Sequence, residues 1–161
     1  MKKPYKDKIG KERVYSQYYK ERGRDDVITW DVVPLGIHTK LIVEFLSKNS
    51  YPHRQGLTLR TDTSLVVNGQ RSPAMNLWYP ETKLLFFKTS PMKIECAVES
   101  VDGLLSVYNI YEVDSKRKAS LGPMAGMLVT EVSPTERVYA CQDQSPNPRF
   151  DRLKFKITLL E

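Results

Sequence analysis

The residue types able to carry chemistry are few in this chain: His38 and His53, Cys96 and Cys141, and aspartates spread over predicted loops. Histidine is the usual general base. His38 opens a strand-like run in Gly36-Ile37-His38-Thr39, and His53 sits in the loop Ser50-Tyr51-Pro52-His53-Arg54. A Cys–His or Ser–His pair would be the reacting unit, but no Gly-x-Ser-x-Gly elbow presents a nucleophile and nothing local activates a thiol. Both cysteines fall inside apolar strand-like runs, where a free cysteine behaves as a small hydrophobe. The spacing therefore predicts a strand-edge histidine, a loop histidine and two reduced, inert thiols.

Metal chemistry fares no better. Structural zinc needs tight Cys-x₂₋₄-Cys and His-x₃₋₅-His pairs, and these four residues are widely scattered. Asp25, Asp26, Asp31, Asp62, Asp102, Asp143 and Asp151 lie in or beside predicted loops, where a hard cation could gather carboxylate oxygens. Aspartates also favour turns because their side chains cap nearby backbone, and that is the expected role here. Gly-rich phosphate loops are absent, so neither a metal nor a cofactor is expected.

What remains is aromatic and basic. Residues 1–30 hold nine Lys/Arg against five Asp/Glu, so most of the net charge of +6 belongs to the N-terminus. There Tyr15, Tyr18 and Tyr19 alternate with Lys11, Arg13, Lys20, Arg22 and Arg24. Lysine and arginine neutralise phosphates or acidic side chains, and tyrosine stacks or docks while keeping its hydroxyl wet. A second aromatic group, Trp78 and Tyr79 after Pro73-Ala74-Met75-Asn76-Leu77, could fill a core or form an edge that meets another chain. The candidate contact residues are accordingly Tyr15, Tyr18, Tyr19, Arg22, Trp78 and Tyr79.

These residues need a frame. At about 100° per residue, Val14, Tyr15, Tyr18 and Tyr19 share one arc, so Lys11–Arg24 reads either as a helix stopped near Gly23 or as a disordered arm. From Val27 onward the pattern is short strands and turns. His38–Leu46, Leu57–Asp62, Ser64–Val67, Asn76–Tyr79, Lys83–Lys88, Met127–Val132 and Arg137–Gln142 read as strands. So does the run in which Leu153, Phe155, Ile157 and Leu159 alternate with Lys154, Lys156 and Thr158. Arg71–Ala74 and Asp114–Ser120 read as loops, and Asn68-Gly69 as a hairpin turn. Met92–Val101 alternates strictly and is expected to pair with Leu104–Val113 as a hairpin around Asp102-Gly103.

The expected fold is all-β, an antiparallel β-sandwich first and a small β-barrel second, in one domain over residues 27–161 with a basic arm over residues 1–26. The arm is expected to serve association rather than folding. With no apolar run near the ~20 residues that span a bilayer and no apolar segment behind the basic N-terminus, no transmembrane segment and a cytoplasmic setting are expected. The leading functional expectation is a non-enzymatic binding module, working through the aromatic edge, loops and arm on a protein partner or a second copy in a homo-oligomer. The alternative is a cofactor-independent isomerase or cyclase in a barrel mouth, using Asp62 or Glu95 with Tyr108, Tyr111 or His38. Nucleic-acid binding through the arm is the third.

Overall fold

A computed structural model describes residues 10–49, 52–80, 92–113, 117–144 and 148–161. Short strands rich in β-branched and aromatic residues dominate it: β1 (Val14–Tyr15), β2 (Ile28–Pro34), β3 (Lys40–Lys48), β4 (Gln55–Val67), β5 (Gln70–Trp78), β6 (Lys93–Glu99), β7 (Leu104–Val113), β8 (Arg117–Ser120), β9 (Gly126–Ser133), β10 (Glu136–Gln142) and β11 (Leu153–Leu160). All pairings are antiparallel. The order β2-β9-β10-β11-β3-β6-β4-β7 returns from β7 to β2 through Asp31↔Val107 to Pro34↔Leu104, closing an eight-stranded barrel. The structure thus takes the barrel, and the sandwich expected first gives way. Alternation looks the same in both, and the β2–β7 pairing that joins the two ends of the sheet carries no local signal.

The expected hairpin of β6 on β7 is overturned as well. Both pair, one after the other, with the long β4: Ser64–Val66 meets Glu99–Ala97, and Gln55–Arg60 meets Tyr111–Ser106. The Asp-Gly turn exists, with Gly103 at φ +73°, but it forms a corner. Asp62 accepts the N–H groups of Val101 and Asp102 at 3.0 and 2.9 Å, holding that corner against the bend in β4. On the other edge of β4 the register to β5 shifts between Arg60 and Leu65, opposite Pro73. Pro73 cannot donate to a ladder, and a bulge on a strand with no second neighbour among the described residues is where it does least harm. The stretch read as the loop Arg71–Ala74 is therefore part of β5, joined to β4 through Asn68-Gly69 with φ of 49° and 77°. Part of the other predicted loop, Arg117–Ser120, is β8 on the edge of β7. Lys83–Lys88 lies outside the described residues.

Alternating side chains fill the barrel. Leu153, Phe155, Ile157 and Leu159 are buried as expected, with Phe155 stacked on Tyr139 at 4.8 Å between ring centres. Leu41, Val43 and Phe45 of β3, Leu57 and Leu59 of β4, and Leu105 and Val107 of β7 join the same core. Cys96 and Cys141 are buried there as free thiols, and burial pushes the Cys96 thiol up to about 11.

The helix expected over Lys11–Arg24 is a strand and one turn. β1 pairs with β2, and α1 spans only Gln17–Lys20, capped by Ser16 Oγ, which accepts the Tyr19 N–H at 3.3 Å. Gly23, at φ +82°, ends the turn as expected. The described arm is packed onto the barrel: Val14, Ser16 and Tyr19 are all buried. No helix among the described residues is long and apolar enough to cross a membrane.

Candidate functional site

β2 and β7 stay paired only through Asp31–Pro34, and where they diverge each takes another neighbour, β1 beside β2 and β8 beside β7. A cleft of about 300 Å³ opens beside β2, between the arm and the loop Leu121-Gly122-Pro123. Arg13, Tyr15, Tyr18 and Lys20 supply its arm side, and Thr29 of β2 also lines it. The loop is tightly set. Leu121 has φ +58°, a left-handed conformation that costs a branched residue energy and persists only where its surroundings enforce it. The Gly122 N–H donates to Tyr111 Oη at 3.3 Å, and Tyr111 Oη donates to Gln144 Oε1 at 3.2 Å. A Cβ on Gly122 would fall 1.9 Å from Gln144 Oε1 and 2.6 Å from the Tyr111 oxygen, so a side chain here would displace both hydrogen-bonded groups.

Beneath the cleft lies the most charged part of the interior. Asp31, fully buried, accepts from Arg13 Nε at 2.8 Å, Arg137 Nη1 at 2.9 Å and the Tyr139 hydroxyl at 2.6 Å. Arg13 also reaches Glu131 at 2.7 Å. Burial alone would lower both guanidinium pKa values, but hydrogen bonds and charge from Asp31 outweigh it and raise them. Burial first, and then the Asp31 charge, lift the Tyr139 hydroxyl well above its ordinary value. The network clamps the arm: Arg13 is the arm's ionic anchor and forms one wall of the cleft.

The six contact residues expected from sequence have different fates. Tyr15 is 40 % exposed at the cleft with Lys20 Nζ 5.5 Å from its ring centre, and Tyr18 lines the same cleft beneath the Arg22 guanidinium, 3.6 Å away. Tyr19 is buried against Phe150, its hydroxyl donating to the Met124 carbonyl at 2.7 Å, so its ring faces the barrel. Trp78 and Tyr79 lie elsewhere, Trp78 under the Arg54 guanidinium at 4.4 Å and Tyr79 edge-on to Phe45. They are half-buried supports of the β4–β5 hairpin and take no part in the cleft.

The residues of the barrel-mouth enzyme do not converge. His38 Nδ1 lies 2.9 Å from the Leu160 carbonyl, Tyr108 stacks on Trp30, Tyr111 holds Gly122, Asp62 caps the corner, and Glu95 is exposed on β6. The aspartates are also dispersed: Asp143 accepts from Gln55 at 3.1 Å, and Asp26 pairs with Arg24. Among the described residues no three His, Cys, Asp or Glu side chains gather around a common point. Sequence reasoning missed Asp31 as a structural anchor and Leu121–Pro123 as a cleft wall. Only the Gly/Pro content of that loop hinted at a close approach.

Comparisons with protein-family models, with curated proteins and with solved structures find no match to this chain. The class that fold and site define is a closed antiparallel β-barrel with an N-terminal arm clamped against β2.

Proposed function

We propose that this chain is a non-enzymatic binding module whose ligand site is the arm-lined cleft. The observation that carries the reading is the cleft's composition: two accessible tyrosines beside Lys20, a cation with no carboxylate partner among the described residues. A flat apolar wall with one unspent positive charge suits a ligand with an aromatic body and an acidic group. An acidic, aromatic-bearing segment of a protein partner has that chemistry. The strained loop supports the reading too, since strain of this kind collects at ligand clamps. Placing the tyrosines on an ionically anchored arm also limits the ordering entropy lost on binding.

The test is a titration of labelled protein with the peptide acetyl-Glu-Phe-Glu-amide, followed by amide shifts in the NMR spectrum. Saturable shifts confined to residues 13–20 and 121–123 are expected, weakened by Lys20→Glu and by Tyr15→Ser. Both side chains are exposed enough that neither change should unfold the protein. Shifts elsewhere, or binding indifferent to both substitutions, would refute the site. Light scattering on the same samples separates partner binding from self-association.

A further inference from the structure

On the outer face of β2, β7 and β4 a second groove, of about 340 Å³, runs beneath Gly10-Lys11 of the arm. Arg60 and Ser106 face each other across β4 and β7, and Trp30 stacks on Tyr108 at 4.5 Å beside them. Gly10 crosses over this face at φ +77°, its missing Cβ 3.9 Å from Ser106 Oγ. Three groups here have donors to spare. Trp30 is 4 % exposed, and its Nε1–H is buried with no acceptor among the described residues. Buried donors are almost always satisfied, so an orphan lining a groove points to an acceptor that arrives from outside. Among the described residues Lys11 and Arg60 are exposed cations without a carboxylate partner, whereas Arg13, Arg24, Arg54, Arg71, Arg137 and Arg152 all have one.

We propose that this groove binds a small organic monocarboxylate, its oxygens taken by Arg60, Lys11 and the Trp30 indole N–H, and its apolar body laid against Trp30 and Leu104. The two acidic residues on the wall set the charge. Asp62 already accepts the N–H groups of Val101 and Asp102, and Asp102 accepts from Ser100 Oγ and the Leu104 N–H. Their lone pairs are largely used, but their charges remain, so a dianion such as phosphate is repelled where a single carboxylate is tolerated. Arginine's planar fork matches a carboxylate in two-point contact, and the orphan indole donor adds a third. None of these residues lines the cleft between the arm and Leu121–Pro123, so this site stands or falls apart from the proposed function.

The readout is the indole N–H resonance of Trp30, told from that of Trp78 with a Trp78→Phe variant. Sodium benzoate at millimolar concentration should move the Trp30 signal downfield and saturably, with sodium chloride at equal ionic strength moving it little. Arg60→Gln should weaken benzoate about tenfold or more, the usual loss for one charge-assisted bond. Lys11→Gln should weaken it less, because a flexible ammonium makes only a point contact. Inorganic phosphate should bind more weakly than benzoate. An indole signal that does not move, or moves equally in chloride or in the Arg60→Gln protein, overturns the site. Phosphate binding as tightly as benzoate overturns the carboxylate assignment.

Discussion

Replacing Asp31 by asparagine keeps the shape of the side chain and removes the charge on which three residues converge. In the native protein both carboxylate oxygens accept: one from Arg13, the other from Arg137 and Tyr139. An asparagine has a single acceptor oxygen and a donor amide. If the oxygen faces Tyr139 and Arg137, the amide points donor-to-donor at Arg13; turned round, it confronts Arg137. At least one charge-assisted bond is lost, worth about 1.5–3 kcal/mol, and the others weaken to neutral strength. Removing one partner of a buried pair costs about 3–5 kcal/mol. The side chains of Arg13 and Arg137 are 24 % and 17 % exposed and recover some hydration, so about 2–4 kcal/mol is expected. At roughly 2–4 °C per kcal/mol for a chain of this size, the melting temperature should fall by about 5–15 °C. Glu131→Gln is the control: that side chain is 53 % exposed, and such surface pairs are worth at most about 1 kcal/mol. Urea unfolding of both variants, read by tryptophan fluorescence, measures the difference. A loss below about 1 kcal/mol for Asp31→Asn, or an equal loss for Glu131→Gln, would refute the anchor.

Phe155→Ala should cost about 3–5 kcal/mol by calorimetry or urea melts, because the ring is fully buried between Tyr139 and Phe45; a loss under about 1 kcal/mol would remove it from the core. Deleting residues 1–24 strips Arg13 from Asp31 and vacates the sites of Val14 and Tyr19, so a stability loss on the order of 3 kcal/mol or more is expected. A truncated chain as stable as the full one would return the arm to a purely associative role. Stability should also fall in alkali. Cys96 has its folded pKa raised to about 11 from an ordinary 9, so the unfolded chain loses this proton first and folding weakens as pH rises from about 9 to 11. Cys141 and Tyr139 are shifted in the same direction, and each group adds up to about 1.4 kcal/mol per pH unit in its window. Chemical melts unchanged between about pH 8.5 and 10.5 would contradict this burial.

The sequence by itself determined what is local. Strict alternation in Leu153–Leu159 put those side chains in the core, since a period of two allows no other arrangement once one face is buried. Asn68-Gly69 placed a hairpin turn and Gly23 a stop, because each needs only its own backbone freedom. The pattern of the arm marked Tyr15, Tyr18 and Tyr19 alike as candidate contacts, and the burial of Tyr19 has no local signal because it depends on Phe150 far along the chain. Tertiary structure decided the rest. Asp102-Gly103 is a turn in either arrangement, and only the length of β4, with Asp62 reaching the corner, turns the expected hairpin into two successive pairings. Closure of the barrel rests on β2 meeting β7 across some seventy residues of chain, a contact with no short-range trace. The cleft follows from the arm packing along β2 opposite the loop Leu121–Pro123, and Asp31, an ordinary loop aspartate by sequence, becomes the charge that holds the arm there.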